Sequence, residues 1–376
     1  MKYEIKKYDA GGRLGLIKHN NKKLPTPNIF PVVSPFYNLI PPQDIVDVFG
    51  GNAVFTNAFI LFKNKQKRMQ VLEHGIHNSI KFSGLIATDS GAFQKYMYGD
   101  DLNISANQIE EFQEKIRSDF PVILDSPVQL EDSKEKAREK IIETISRAKN
   151  NIKRRKLDSC SWVGPIHGSQ YLDLIKFSCI EMNKLHFGIY ALGGLVKTFN
   201  NYMFDISINA LLTAKRYIRP DIPIHLFGAG LPQFMSLSVA CGADLMDSAA
   251  YILFAKEGRY MTLEGTQDII QLKETTCNCP ICSSYSAREL KKLYKKSKKS
   301  KKSEKGIELL ARHNLYVTFG ELRAIREAIR QGKLWELVES RIHAHPKLLK
   351  AYSKIPKYWE QLEKLEAIEN TQAVSI

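Results

Sequence analysis

Short apolar runs that end abruptly at polar or glycine-rich turns recur along the larger, amino-terminal part of the chain. Most are too short for helices, are rich in valine, isoleucine and leucine, and lack strict alternation, which is typical of strands covered on both faces. The eight runs are Ile29–Val33, Ala53–Thr56, Gly84–Thr88, Pro121–Leu124, Ser161–Ile166, Gly188–Leu192, Pro223–Phe227 and Ala243–Met246. Amphipathic stretches of helical length lie between several of them, namely Ala106–Ser118, Lys134–Lys153, Tyr171–Leu185 and Phe204–Tyr217.

The alternation of eight strands with helices predicts an α/β protein with a (β/α)8 TIM barrel. A doubly wound open sheet is the alternative architecture. No G-x-G-x-x-G motif follows the first run, which counts against the dinucleotide-binding version of that sheet.

Polar residues and glycines follow the apolar runs directly. They are Asn57, Asp89-Ser90-Gly91, Asp125, His167-Gly168-Ser169, Gly193-Gly194, Gly228-Ala229-Gly230 and Asp247-Ser248. Parallel strands bring such ends together on one rim, and in a barrel that rim holds the active site. A single aspartate after a strand is usually an ordinary helix N-cap. Three carboxylates, one histidine and three glycine-rich turns together predict a functional site.

The pattern changes after Gly265. We expect a barrel domain over residues 1–265 and a zinc-binding helical subdomain with a basic insertion over residues 266–376. The predicted helices of the second part are Glu304–His313, Phe319–Gln331, Leu334–Ile342 and Pro346–Tyr352.

A C-x-C-x-x-C knuckle formed by Cys277, Cys279 and Cys282 opens this second part. Three thiols at this spacing predict a zinc site, for which His313 on a predicted helix is the expected fourth ligand. With all four positions filled by protein, none remains for water, so the one zinc ion expected per chain is structural.

The net charge is +15, from 55 lysines and arginines against 40 aspartates and glutamates. This excess favours a polyanionic partner, most often nucleic acid, over a merely solvated surface. Part of it lies in Lys291–Lys305, where we expect a mobile basic loop that adds affinity for phosphate. No apolar run approaches the roughly 20 residues that a membrane helix requires, and the amino terminus has no signal-peptide core, so we expect no membrane contact and a cytoplasmic location.

Several segments resemble one family. Thr88-Asp89-Ser90-Gly91-Ala92-Phe93-Gln94 resembles the TDSGGFQ signature of tRNA-guanine transglycosylases. Segments similar to the archaeal branch are His225–Gly230, Asp244–Tyr251, Ala255-Lys256, Arg259–Thr262, Cys277–Cys282, His313–Leu315 and Trp335–Val338. The resemblance extends from Gly12 to about Tyr352, with the segments in the family's order.

The resemblance implies a TIM barrel with a zinc-bearing helical subdomain, and an exchange of bases in RNA. Archaeal members replace guanine at position 15 of the tRNA D-arm by 7-cyano-7-deazaguanine (preQ0), on the way to archaeosine, without ATP or a redox cofactor. By motif position, Asp247 is the nucleophile that bonds to the ribose C1′, and Asp89 is the acid/base for the leaving and entering purines.

The resemblance also implies how the base is recognised. Asp125 matches the aspartate that accepts from N1 and N2 of guanine, and Gly193-Gly194-Leu195 would offer backbone groups to another edge. Phe93 would stack on the base or pack in the core, and Ser90 would hold Asp89 or the base edge. His167 stands where the family usually has glutamine, so we expect it to donate to O6 with a charge that depends on pH.

Full-length archaeal relatives continue into a tRNA-binding PUA module that this chain lacks, so we expect either that a separate PUA-domain protein supplies it or that the contact with the substrate differs. The resemblance further suggests a homodimer through the zinc subdomain. Two other readings are a DNA-directed 7-deazaguanine transglycosylase and a zinc-containing RNA-binding protein without catalysis. The presence of both Asp89 and Asp247 argues against the last reading.

Overall fold

An antiparallel sheet of three strands begins the chain: β1 (Lys2–Asp9), β2 (Gly12–His19) and β3 (Lys22–Thr26). The structure is a computed structural model that describes residues 1–92, 104–155, 160–299, 304–358 and 360. Ile17 and Leu24 of this sheet are fully buried and pack on residues inside the barrel described next. The sheet therefore closes the end of the barrel at which its strands begin. The search for continuous apolar runs misses these strands because most of their residues are partly exposed or charged.

Eight parallel strands follow, close to the predicted runs. They are β4 (Asn28–Pro31), β5 (Ala53–Asn57), β6 (Leu85–Asp89), β7 (Phe120–Pro121), β8 (Val163–Ile166), β9 (Ile189–Leu192), β10 (Ile224–Leu226) and β11 (Leu245–Ser248). One sheet has the order β4-β11-β10-β9-β8 and the other the order β5-β6-β7. Parallel bridges from Val32 to Phe55 and from Val122 to Val163 join the two sheets. The strands thus form a closed ring, which confirms the barrel and excludes the open sheet.

Helices connect these strands and cover the barrel. They are α1 (Asp44–Asp47), α2 (Ala58–Lys63), α3 (Lys65–Ile80), α4 (Ala106–Lys115), α5 (Lys134–Arg154), α6 (Leu172–Asn183), α7 (Val196–Asn200), α8 (Phe204–Tyr217), α9 (Pro232–Ala240) and α10 (Ala250–Glu257). Ser105 begins α4 with a capping box that includes Gln108, and the Ser133 hydroxyl caps α5. Such caps satisfy amide groups that the first turn leaves without partners.

A hairpin of β12 (Arg259–Thr262) and β13 (Gly265–Asp268) leads into the last elements. These are α11 (Pro280–Ser284), α12 (Ala287–Lys299), α13 (Lys305–Gln331), α14 (Leu334–Ile342), α15 (Pro346–Tyr352) and a 3-10 turn at Ile355–Tyr358. Because α13 packs on α10, β12 and β2, the helices lie directly against the barrel. The domain division at residue 265 stays a prediction. None of the helices described is long and apolar enough to cross a membrane.

Two expectations for this part are wrong. The helices predicted at Glu304–His313 and Phe319–Gln331 are parts of α13, because residues 314–318 contain no helix breaker and Leu315 and Thr318 face the core. The basic run is helical up to Lys299 rather than a loop, since Leu290, Tyr294 and Ser297 form a buried stripe along α12. Residues 300–303 of the run lie outside the described residues.

Candidate active site and metal centre

Asp89, Asp125 and Asp247 lie at the carboxyl-terminal ends of barrel strands, as predicted. Asp89 is the last residue of β6, Asp247 lies near the end of β11, and Asp125 follows β7 by four residues. The charges of Asp125 and Asp247 both act on Asp89 and raise its pKa, so the three carboxylates share one rim. We call them the rim aspartates.

Asp89 is held by two donors. The side-chain amide of Asn57 donates to Oδ2 at 2.9 Å, and the backbone N–H of Gly91 donates to Oδ1 at 3.2 Å. Asn57 and Asp89 are direct partners in the parallel register of β5 and β6. Burial raises the pKa of Asp89 to about 7, a change that the Gly91 hydrogen bond opposes and the other two carboxylates reinforce. A carboxyl group that titrates near neutral pH can both give and take a proton, as a general acid and base must.

Asp247 has one carboxylate oxygen occupied and one open. The imidazole Nε2 of His225 and the backbone N–H of Gly228 both donate to Oδ1, at 2.9 and 3.0 Å. Within the described residues, no group donates to Oδ2, and 14% of the side chain is exposed. Asp247 is therefore held through Oδ1, while Oδ2 accepts no hydrogen bond from the described residues.

The ring of His225 is enclosed by aromatic side chains. Phe30 stacks on it at 5.4 Å between centroids, and Phe55 and Phe227 contact it edge-on at 5.9 and 4.8 Å. Its side chain is only 2% exposed. The rings leave the imidazole little freedom to turn away from Asp247.

His167 contacts Asp125 through Nε2, which lies 2.6 Å from Oδ2 of the carboxylate. The imidazole is 1% exposed, and its Nδ1 is buried without a hydrogen-bond partner among the described residues. His167 therefore has one ring nitrogen engaged by Asp125 and one without a partner among the described residues.

The Gly193-Gly194 turn packs against this pair. A Cβ atom at Gly193 would lie 2.8 Å from Cε1 of His167, and one at Gly194 would lie 2.4 Å from the carbonyl oxygen of Val128. Gly194 also has a φ of +79°, which favours glycine. Leu195, the next residue, is fully buried. A larger residue at either glycine would displace the wall of the site.

The structure describes Ser90, one of the two other predicted site residues, but not Phe93. Ser90 is fully buried, and its hydroxyl donates to the carbonyl oxygen of Ile123 at 3.1 Å, so it ties the end of β6 to the neighbouring segment. Asp89 is held by Asn57 and Gly91 instead. Phe93 lies outside the described residues.

Cys277, Cys279, Cys282 and His313 come together in the second half of the chain, as predicted. Their ligand atoms all lie within 4.8 Å of one another. Nδ1 of His313 lies 3.3 Å from the sulfur of Cys282 and 3.5 Å from that of Cys279. The group could hold a metal ion, and we call it the metal cluster.

The surroundings of the metal cluster orient its ligands. Nε2 of His313 lies 2.8 Å from the carbonyl oxygen of Met261 and donates to it, which leaves the lone pair of Nδ1 directed at the sulfurs. The ring of Tyr260 stacks on His313 at 3.7 Å, and its hydroxyl lies 3.2 Å from the sulfur of Cys282. Three sulfurs and one imidazole are a donor set that fits zinc. The residues present therefore fit a closed metal site.

The sequence profile of the queuine tRNA-ribosyltransferase family matches residues 9–347. The chain belongs to this family. The members of this family are pentosyltransferases. The curated relatives that this chain matches are named tRNA-guanine(15) transglycosylases.

Three relatives named tRNA-guanine(15) transglycosylase illustrate the similarity. The protein of Methanocaldococcus jannaschii is 42% identical over 379 residues, which cover 99% of this chain and 56% of the relative. That of Pyrococcus furiosus is 38% identical, covering 99% of this chain and 62% of the relative. That of Methanococcus maripaludis is 42% identical, covering 97% and 56%. The chain thus spans little more than half the length of these relatives.

Asn57 and His225 are the contributors to the site that sequence reasoning did not assign. In the sequence, Asn57 stands out only as the end of a strand, and His225 only as part of a family-like segment. Their positions could have indicated these contacts, because each residue lies on the strand next to that of the aspartate it contacts, near the same rim. Once strand neighbours are known, each can be paired with its carboxylate.

Proposed function

We propose that this chain exchanges guanine for 7-cyano-7-deazaguanine at position 15 of tRNA, a step of archaeosine formation, through a covalent aspartate–ribose intermediate. The observation that carries the proposal is that the three rim aspartates have different environments. Asp247 has an open oxygen, Asp89 has a pKa of about 7, and Asp125 is fixed beside them.

In the first half of the reaction, Oδ2 of Asp247 bonds to C1′ of the ribose while the C1′–N9 bond breaks. Guanine leaves with the electron pair and takes a proton from Asp89. In the second half, the incoming base gives its N9 proton to Asp89, and N9 bonds to C1′ as Asp247 leaves. Asp89 ends the cycle protonated, as it began. The two oxygens of Asp247 support this scheme, because Oδ1 is held while Oδ2 is open.

Base recognition is assigned to the rest of the rim. Asp125 accepts from N1 and N2 of the purine, and its Oδ2 is held by Nε2 of His167. The other imidazole nitrogen of His167, Nδ1, is the proposed donor to O6. Backbone groups of Gly193, Gly194 and Leu195 contact another edge, and Phe93 stacks on the base. Ser90 contributes by holding the end of β6 that carries Asp89.

The metal cluster would hold one structural zinc ion per chain. Its ligands would be Cys277, Cys279, Cys282 and His313, and the ion would link the segment that leads into α11 with α13. The same proposal divides the chain into a catalytic barrel of residues 1–265 and a zinc-binding helical subdomain of residues 266–376. A homodimer through this subdomain and a separate PUA-domain protein are the proposed assembly and partner.

Incorporation of labelled guanine and labelled preQ0 into tRNA and into DNA, measured side by side, tests the proposal. We expect both bases to enter tRNA, the label to map to position 15, and no label to enter DNA. Label in DNA alone would favour the alternative of a DNA-directed 7-deazaguanine transglycosylase. Binding of RNA with no incorporation of either base would favour the non-catalytic one.

A further inference from the structure

Helix α12 presents an unusual density of positive charge to solvent. Its sequence, ARELKKLYKKSKK, contains seven lysines and arginines and one glutamate. Glu289 is engaged at the start of the helix, where its Oε2 accepts from the backbone N–H and hydroxyl of Ser286 at 2.8 and 2.7 Å. Among the described residues, Glu289 therefore forms no ion pair with the cations that follow it.

The exposed cations of this helix have no carboxylate partner among the described residues. Arg288, Lys292, Lys295 and Lys296, which we call the α12 basic face, are all exposed. The opposite side of the helix is fixed, because Leu290 and Tyr294 are buried and the Tyr294 hydroxyl donates to the carbonyl oxygen of Lys256 at 3.1 Å. A rigid row of unpaired cations suits a polyanion.

A second unusual surface lies on the rim itself. In the loop of residues 34–38, directly after the first barrel strand, Phe36 is 45% and Tyr37 65% exposed. The loop is held by its own polar groups. Ser34 N–H donates to Oδ1 of Asn38 at 2.8 Å, and the amide of Asn38 donates back to the Ser34 carbonyl at 2.7 Å. We call it the rim aromatic loop.

The two surfaces are joined. The Tyr37 hydroxyl donates to Glu304 at 2.8 Å, just before α13 begins. Two residues later, the backbone N–H of Gly306 donates to the Ser297 hydroxyl of α12 at 2.9 Å. This chain of contacts brings the last turn of α12 next to the rim on which the aspartates lie.

We propose that the α12 basic face and the rim aromatic loop form one RNA-binding surface, with cations on phosphates and an aromatic ring stacked on a base next to the reacting one. The inference rests on the proposed function. An enzyme that works on a base within RNA must draw it out of its stack, which deprives the neighbouring bases of a partner. An aromatic side chain at the rim replaces that partner, and such stacking tolerates any base.

Equilibrium binding of tRNA as a function of salt tests the surface without requiring base exchange. The triple variant Lys292→Gln, Lys295→Gln, Lys296→Gln should reduce the slope of log K against log salt by about 2 to 3, since each lost phosphate contact removes about 0.7 to 0.9. The matched control is Lys2→Gln, Lys6→Gln, Lys23→Gln, which removes three exposed charges from the sheet at the opposite end of the barrel. It should leave the slope unchanged.

The aromatic part of the surface is tested with Phe36→Ala, and with Phe36→Tyr as a variant that keeps the ring. We expect Phe36→Ala to weaken RNA binding about tenfold with an unchanged salt slope, and Phe36→Tyr to restore it. Equal slopes in the two lysine variants would overturn the phosphate role. Loss of self-association without loss of RNA affinity in Phe36→Ala would assign the loop to a second copy of the chain and overturn the stacking role. If RNA binds as expected but no base is inserted, only the proposed function fails.

Discussion

In the metal cluster all four ligand atoms converge within 4.8 Å, whereas each rim aspartate is held by donors from a neighbouring strand or segment. A zinc ion held by the first arrangement would have all four positions filled by protein, as in sites that serve stability. The second arrangement leaves an oxygen free to contact a reactant, since both donors to Asp247 contact Oδ1 and none contacts Oδ2 among the described residues. Changes in the two regions should therefore fail in different ways, the rim in chemistry and the cluster in folding.

The largest effect is expected for Asp247→Asn. A carboxamide keeps the shape but cannot bond to C1′, so exchange should fall about 10⁴-fold or more, the scale on which enzymes lose activity without their nucleophile. The covalent RNA adduct should disappear from a denaturing gel while RNA binding and the melting temperature are kept. Asp173→Asn on the exposed surface of α6 is the control. An adduct that persists in the Asp247 variant and vanishes only in an Asp89 variant would reverse the roles of the two residues.

Cys279→Ser should act through folding. Metal binding contributes its free energy to folding, so losing one thiolate should remove the metal and cost several kcal/mol of stability. Metal analysis and thermal unfolding measure the two losses. Cys160→Ser, a change of another buried cysteine, should leave the metal content at about one ion per chain. A soluble, metal-free and fully active Cys279 variant would contradict a structural metal.

The same comparison explains what the sequence alone could predict. The three cysteines of the metal cluster follow from local spacing, because they lie within six residues of one another. The fourth ligand, His313, is 31 residues from Cys282. The barrel strands follow from composition, and α8 was predicted with its observed ends, Phe204–Tyr217. The contacts of the rim depend on which strands are neighbours. Asn57 is 32 residues from Asp89, and His225 is 22 residues from Asp247.

The two wrong predictions, for α13 and for the basic run in α12, have a physical reason. The residues between His313 and Phe319 include β-branched and aromatic side chains, which favour helices weakly by themselves. Burial of Leu315 and Thr318 against the neighbouring elements keeps them in α13. In α12 the run of lysines suggests a loop, yet the spacing of Leu290, Tyr294 and Ser297 is that of a buried helical stripe. In α13 tertiary packing overrides a weak local preference, whereas in α12 the sequence itself contains the helical spacing and lysine favours helices.

A smaller effect, visible in the pH dependence, is expected for Asp89→Asn. Adduct formation needs protonated Asp89, whose pKa is about 7, so its single-turnover rate in the unmodified enzyme should fall about tenfold per pH unit above that value. The variant should be slower by about 10²- to 10³-fold, and its rate should no longer depend on pH in this range. An unchanged pH profile in the variant would assign the titration to another group.

Ionisation of Asp89 should also lower the free energy of unfolding of the protein. Its pKa is raised in the folded state, so the stabilising contribution of its protonated form is complete below the ordinary aspartate pKa and is lost as pH rises through about 7. Asp89→Asn should therefore raise the free energy of unfolding at pH 8 by about 1 to 3 kcal/mol, and by less at pH 4. Thermal unfolding at the two pH values measures the difference. Equal effects at both would mean that ionisation of Asp89 is not opposed by the fold.

The smallest effect is expected at His225, which holds Asp247 without touching the substrate. A hydrogen bond to a charged group contributes about 1.5 to 3 kcal/mol, so His225→Phe, which keeps a ring among Phe30, Phe55 and Phe227, should slow adduct formation about 10- to 100-fold. Because the donor acts on the nucleophile alone, the KM for RNA should not change. His225→Gln keeps a donor and should recover part of the rate. If KM rises while kcat stays constant, or if Gln is no better than Phe, His225 only fills space, and Gly228 N–H alone fixes Oδ1 of Asp247.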